Sequence, residues 1–128
     1  MAQVNQWAKH FQGVWEERAA NRGLPAWFRV TALAYGLHGA NGHACFEPGD
    51  ISITLGKPSS QGGWEPMHKA QVHNAIKTAI KFQLLADDSG STCLVVPGHA
   101  IQKDYGTRKP CPVHEAKHIK RRQVSKCN

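Results

Sequence analysis

From residue 66 to residue 83 the chain has one clear periodicity. Val72, Ile76, Ala79, Ile80 and Gln83 recur at three- and four-residue steps and fall on one face of a helix. Gln71, Asn74, Lys77, Thr78 and Lys81 lie nearly opposite, and no acid occurs between Lys69 and Lys81. Pro66 suits the first position of such a helix, because its missing N–H has no intrahelical partner there. A helix of this kind must bury its apolar stripe on other elements and leave its amide and cationic face to solvent or to a partner.

The rest of the 128-residue chain supplies what that stripe needs. This length fits one domain. Val4, Trp7, Ala8, Phe11, Val14, Trp15 and Ala19 predict a helix over 4–21, ended by Gly23 and Pro25. Trp27, Val30, Leu33, Ala34 and Leu37 predict a second over 26–38, followed by a turn at 39–42. Residues 43–46 read as a short strand. Residues 47–50 lead into a short helix over 51–55, although Ile51, Ile53 and Thr54 are β-branched and suit a strand as well. Residues 57–64 read as a polar loop. A turn at Asp88-Ser89-Gly90 separates two apolar runs and signals a hairpin. The expected architecture is mostly α with a small β-hairpin: a winged helix-turn-helix with an extra N-terminal helix and a basic tail. The expected division is a winged-helix domain over 1–100 and a Cys/His-containing tail over 101–128.

Charge is unevenly distributed. The chain carries a formal +7, of which residues 103–128 hold +6 and residues 1–102 only +1. A basic tail behind a nearly neutral domain is a handle for a polyanion, most simply nucleic acid; the plainer alternative is a solubilising tail. A major groove admits one helix, and Gln71 and Asn74 can pair bidentately with adenine edges. Lys77, Thr78 and Lys81 suit phosphate, as do the tail residues Arg108, Lys109, Lys117, Lys120, Arg121 and Arg122. The plainer reading of the helix face is simple solvation. Asp87 and Asp88 at the hairpin tip depart from the pattern, because phosphate repels them.

Four segments carry a family resemblance: WFRVTALAYGLHGANGHACFEPGDISITLG, HNAIKTAIKFQLL, STCLVVPGHAI and KPCPVH. Between Trp27 and His114 the chain resembles small helix-turn-helix proteins of actinobacterial phages and mobile elements. The resemblance implies a winged-helix DNA-binding domain with a regulatory role.

The tail also holds Cys111-x2-His114-x3-His118-x8-Cys127, a set of zinc ligand types that suits one structural zinc ion. Its spacing differs from that of the common zinc finger, and surface thiols with solvated histidines are the alternative. Cys45 and Cys93 sit in apolar segments and read as small core residues. His73 reads as the edge of the buried helix face. The remaining histidines, His43 among them, show no metal spacing.

No phosphate-binding loop, dinucleotide fingerprint, carboxylate pair or nucleophile elbow is present, so an enzyme is not expected; Tyr105 reads as a loop residue rather than a nucleophile. No apolar run reaches the ~20 residues of a membrane span, and residues 1–14 do not form a secretion signal. The expectation is therefore a cytoplasmic protein of a bacterial host, nucleoid-associated when bound, whose partner is double-stranded DNA. Two other readings stay open: a module binding a host protein, and an accessory factor in replication or packaging. The apolar face of the first helix also suits a homodimer seam.

Overall fold

The computed structural model describes residues 8–100 and 111–114. Helices α1 (Gln12–Ala20) and α2 (Ala26–Leu37) lead to strand β1 (His43–Cys45) and the short helix α3 (Asp50–Thr54). A two-residue hairpin of β2 (Lys57–Pro58) and β3 (Trp64–Glu65) precedes helix α4 (Lys69–Lys81) and strand β4 (Cys93–Val95). The fold is mostly helical, with two small two-stranded antiparallel sheets. Among the described residues no helix is long and apolar enough to cross a membrane.

Helix α2 is the centre of the core. It packs on α1 and α4, and its Val30, Ala32 and Ala34 are completely buried. Val72, Ala75, Ile76 and Ala79 of α4 and Ile51 of α3 close the same core. Arg29 is buried among them because its guanidinium has carbonyl partners: Nε donates to Ala19 O at 2.7 Å, and Nη1 to Leu55 O at 3.3 Å. These bonds tie the last turns of α1 and α3 to α2, where helix carbonyls otherwise lack partners.

Several expected boundaries shift. The first helix begins at Gln12 rather than residue 4; residues 8–11 are not helical, and residues 1–7 lie outside the described residues. Its start is pinned by the Gln12 side chain, whose Nε2 donates to the carbonyls of Tyr35 and His38 at the end of α2. Phe11 is consequently 86% exposed, while Trp15 packs on Tyr35 and only Ala19 is fully buried. Leu37, expected on the buried face of α2, is exposed at its last position.

Residues 57–64 are not a plain loop. Gly62 and Gly63 both take positive φ and turn β2 back onto β3, with Ser59 N–H donating to Gly63 O. Pro66 therefore does not open α4. It follows β3 directly, and Met67 N–H donates to Ser52 O at 2.8 Å. The helix starts at Lys69 under a His68 cap, whose Nδ1 accepts from Ala70 N–H at 3.2 Å. It ends before Gln83, which is exposed at φ 62° rather than buried.

The expected hairpin is also rearranged. β4 takes its ladder from β1, with His43 opposite Val95, Ala44 opposite Leu94 and Cys45 opposite Cys93. The run before the turn contributes one bond, Ala86 N–H to Val95 O at 2.8 Å. Gly90 instead closes a tight turn on Cys93, with hydrogen bonds in both directions.

Candidate functional site

The β1–β4 pair separates two environments because strand side chains alternate. Ala44 and Leu94 point into the helical core and are buried. His43 and Cys45 must then share the opposite face, along with Cys93 and Val95. That outer face is covered by residues 111–114: Cys111 packs with Cys93 and Val95, and Val113 and Ala86 lie against them. Residues 112–114 are helical, so Cys111 and His114 are brought to one side of a single turn.

The result is a corner of sulfur and imidazole donors. His43, Cys93, Cys111 and His114 each offer a ligand atom, and all four atoms lie within 4.8 Å of one another. Cys93 Sγ is 3.5 Å from Cys111 Sγ and 3.4 Å from His43 Nδ1. Cys111 Sγ is 3.3 Å from His114 Nδ1. Cys45 Sγ adjoins the group, 3.4 Å from Cys111 Sγ and 3.9 Å from Cys93 Sγ. The three thiols are free. This arrangement can hold a metal ion.

Electrostatics divide the thiols. Burial pushes Cys93 well above the ordinary thiol value, and its contact with Cys111 adds to the rise. Cys45 is exposed as a residue, yet partial desolvation of its sulfur raises it too, again with help from Cys111. Burial acts in the same sense on Cys111, but hydrogen bonds from the backbone and ring of His114, with those from Cys45 and Cys93, outweigh it and bring Cys111 down to about 6. Cys111 is thus the donor already suited to be a thiolate at neutral pH.

His114 is oriented from behind. Its Nε2 donates to the carbonyl of Asp88 at 2.9 Å, with the Asp88 carboxylate 3.5 Å away. A carbonyl only accepts, so Nε2 keeps its proton; the protonated ring also donates Nδ1–H to the Cys111 thiolate, and once that second proton is lost Nδ1 offers a lone pair to a metal. Burial lowers the His114 pKa, but Cys111 and Asp88 outweigh it and the net shift is upward. A carbonyl or carboxylate behind the ring is the usual support for a metal-binding histidine.

Half of the expected zinc set is brought together here, and the other half is untested. Cys111 and His114 belong to the corner. His118 and Cys127 lie outside the described residues. Cys45 and Cys93 are not simple core residues: Cys45 is exposed, and Cys93 is buried against other donors rather than in the helical core. His43, which showed no spacing in sequence, joins them because β1 brings it there. The missed signal was the His43-x-Cys45 alternation, which puts two donors on one face of a strand.

The other expected site is the polar face of α4. Gln71, Asn74, Lys77 and Lys81 are exposed; Thr78 is half-buried and donates its hydroxyl to Asn74 O at 2.9 Å. His73, expected at the edge of the buried face, is exposed. With Lys69 and Lys77 it lines a groove of about 540 Å³ whose other walls include Gly49 of the α3 N-terminus and Ser89 and Ser91 of the turn before β4. Arg108, Lys109, Lys117, Lys120, Arg121 and Arg122 lie outside the described residues.

Compared with protein-family models, with curated proteins and with solved structures, the chain has no match in any of the three.

Proposed function

We propose that this chain is a winged helix-turn-helix protein that binds double-stranded DNA with sequence preference, in a regulatory role such as that of a phage or mobile-element regulator. The observation that carries this reading is the exposed face of α4, where Asn74, Lys77 and Lys81 project without an intervening acid. The order α2, β1, α3, β2, β3, α4, β4, with β1 paired to β4, is compatible with a winged helix in which the β2–β3 hairpin stands in the turn and α4 enters the major groove. Asn74 and Gln71 would read bases, and Lys77, Lys81 and Thr78 would hold phosphate. The groove beside Lys69 and His73 is lined by Asp87 as well, so Lys69 and Lys77 are its phosphate-facing cations and Asp87 opposes them.

The acidic tip finds a role in the same reading. Asp88 is turned to His114, so it serves the donor corner rather than the DNA. One structural zinc ion at that corner would fix the turn before β4 relative to α4.

The test is fluorescence anisotropy with random and genome-derived duplexes across a salt series. Steep salt dependence and a sequence preferred over random DNA are expected. Asn74→Ala should cost about 1–3 kcal/mol at one base position, whereas Lys77→Ala should weaken all duplexes alike and flatten the salt slope. No binding at low salt would overturn the reading and turn attention to a protein partner.

A further inference from the structure

The corner holds five donors, one more than a tetrahedral zinc ion takes. Around one zinc ion, sulfur ligands at about 2.3 Å stand about 3.8 Å apart, and a sulfur and a nitrogen ligand about 3.6 Å apart. The sulfur atoms of Cys45, Cys93 and Cys111 form a closed triangle with edges of 3.4, 3.5 and 3.9 Å, near those of one tetrahedral face. His114 Nδ1 lies 3.3 Å from one corner of that triangle. His43 Nδ1 lies as close, 3.4 Å from Cys93 Sγ, so distance alone does not choose between the two imidazoles; His114 is the one held from behind by the Asp88 carbonyl.

We propose that Cys45, Cys93, Cys111 and His114 bind a single zinc ion as a Cys3His structural centre, and that His43 stays outside the ligand set as a hydrogen-bond donor to the Cys93 sulfur. This refines the zinc ion of the preceding section and does not depend on DNA binding.

Three features of the fold support the assignment. Cys45 and Cys93 are direct cross-strand partners, and such pairs hold their Cβ atoms about 4.5–5.5 Å apart, close enough for two thiolates to share a metal. Cys111 and His114 come from one helical turn, so two rigid pairs converge. A disulfide would consume two of the three thiols and strand the third, whereas zinc uses all three. Soft thiolates favour zinc over hard cations. Binding displaces the thiol protons, and the site then carries one net negative charge from three thiolates and a neutral imidazole. His43 stands edge-on to His114, with ring centroids 4.9 Å apart and planes at 83°. Its Nδ1–H can then stabilise the Cys93 thiolate, a supporting role common around metal sites.

The experiment uses the full chain in a Cys127→Ser background, so that Cys45, Cys93 and Cys111 are the only thiols. Metal analysis should find one zinc per chain. Replacement by cobalt should give tetrahedral visible bands and thiolate-to-cobalt charge transfer of three-thiolate intensity. Cys45→Ser should remove about a third of that intensity and weaken zinc binding more than His43→Gln does. His43→Gln should keep stoichiometry and intensity, with affinity lowered about 10-fold. Alkylation mapped by mass spectrometry gives a readout that needs no substitution at the corner: zinc should protect Cys45, which a chelator then exposes. A two-thiolate spectrum, a freely alkylated Cys45 in the zinc form, or loss of a ligand on His43→Gln would overturn the Cys3His assignment while leaving a metal site in place. A chain that takes up neither zinc nor cobalt would overturn the metal reading itself.

Discussion

Around α2 the chain is held by apolar burial; on the outer face of β1 and β4, a few ångströms away, it is held by donors. Val30, Ala32, Ala34, Ala79, Leu94 and Val96 are wholly buried and belong to one continuous cluster. The corner has a far smaller cluster of Cys93, Val95 and Cys111, with Ala86 and Val113 beside it. That is too little apolar surface to fix a segment distant in sequence, given the entropy of ordering it. The two-stranded sheet divides these regimes, with Ala44 and Leu94 serving one side and Cys45 and Cys93 the other. The contrast predicts that the helical core does not need the corner, whereas the corner would be fixed by the sheet together with the proposed zinc ion.

The largest effect should come from the core. Ile51 of α3 is 1% exposed and belongs to the same core cluster as the buried residues of α2 and α4. Ile51→Ala should cost about 2–5 kcal/mol in urea denaturation. The loss should be the same with zinc and with a chelator. A loss that depends on zinc would merge the two regions into one cooperative unit.

Removing zinc should act next, and more locally. At free zinc about 100-fold above its dissociation constant, the bound form gains about 2.7 kcal/mol. Hydrogen exchange after chelation should lose protection at Phe46, Ala86 and Cys93, whose N–H groups bond within this corner. The amides of α2 should keep theirs. Equal loss in both places would show that the sheet does not insulate the core.

The same division explains what could be read from sequence. α2 and the body of α4 were legible because a 3.6-residue period survives in any single helix. β1 and α3 were legible from their flanking turns. The start of α4 was not, because Pro66 fits a helix opening as well as the end of β3, and only the Met67–Ser52 contact decides between them. The first helix was overextended because Phe11 continues the apolar pattern although Gln12 anchors the true start. At the corner, Cys111 and His114 were legible as a local pair. Their partners come from strands separated by the whole of α3 and α4, and spacing along the chain carries no trace of that meeting. The polar face of α4 was fully legible as a face; its role rests on the binding experiment.

The smallest expected effect concerns the corner without metal. Hydrogen bonds from His114, winning over burial, hold Cys111 down to about 6, against an ordinary thiol value of 9.0. Its contribution to stability is therefore complete above 9.0 and is lost as pH falls through about 6. His114 acts in the opposite sense. Its raised pKa contributes stability that is complete below 6.5 and lost as pH rises through the folded value, so it offsets part of the slope. Cys45 and Cys93, both raised, add no slope until the pH climbs past 9.0. Ultraviolet thiolate absorbance of the chelated Cys127→Ser chain should accordingly show one thiol titrating near pH 6 and no other below 9.0. In His114→Gln that step should move upward, because the hydrogen bonds that hold the thiolate are gone. If no thiol titrates below 9.0, Cys111 is a buried neutral thiol like those of an apolar core, and the electrostatic distinction between the two regions disappears even if their packing differs.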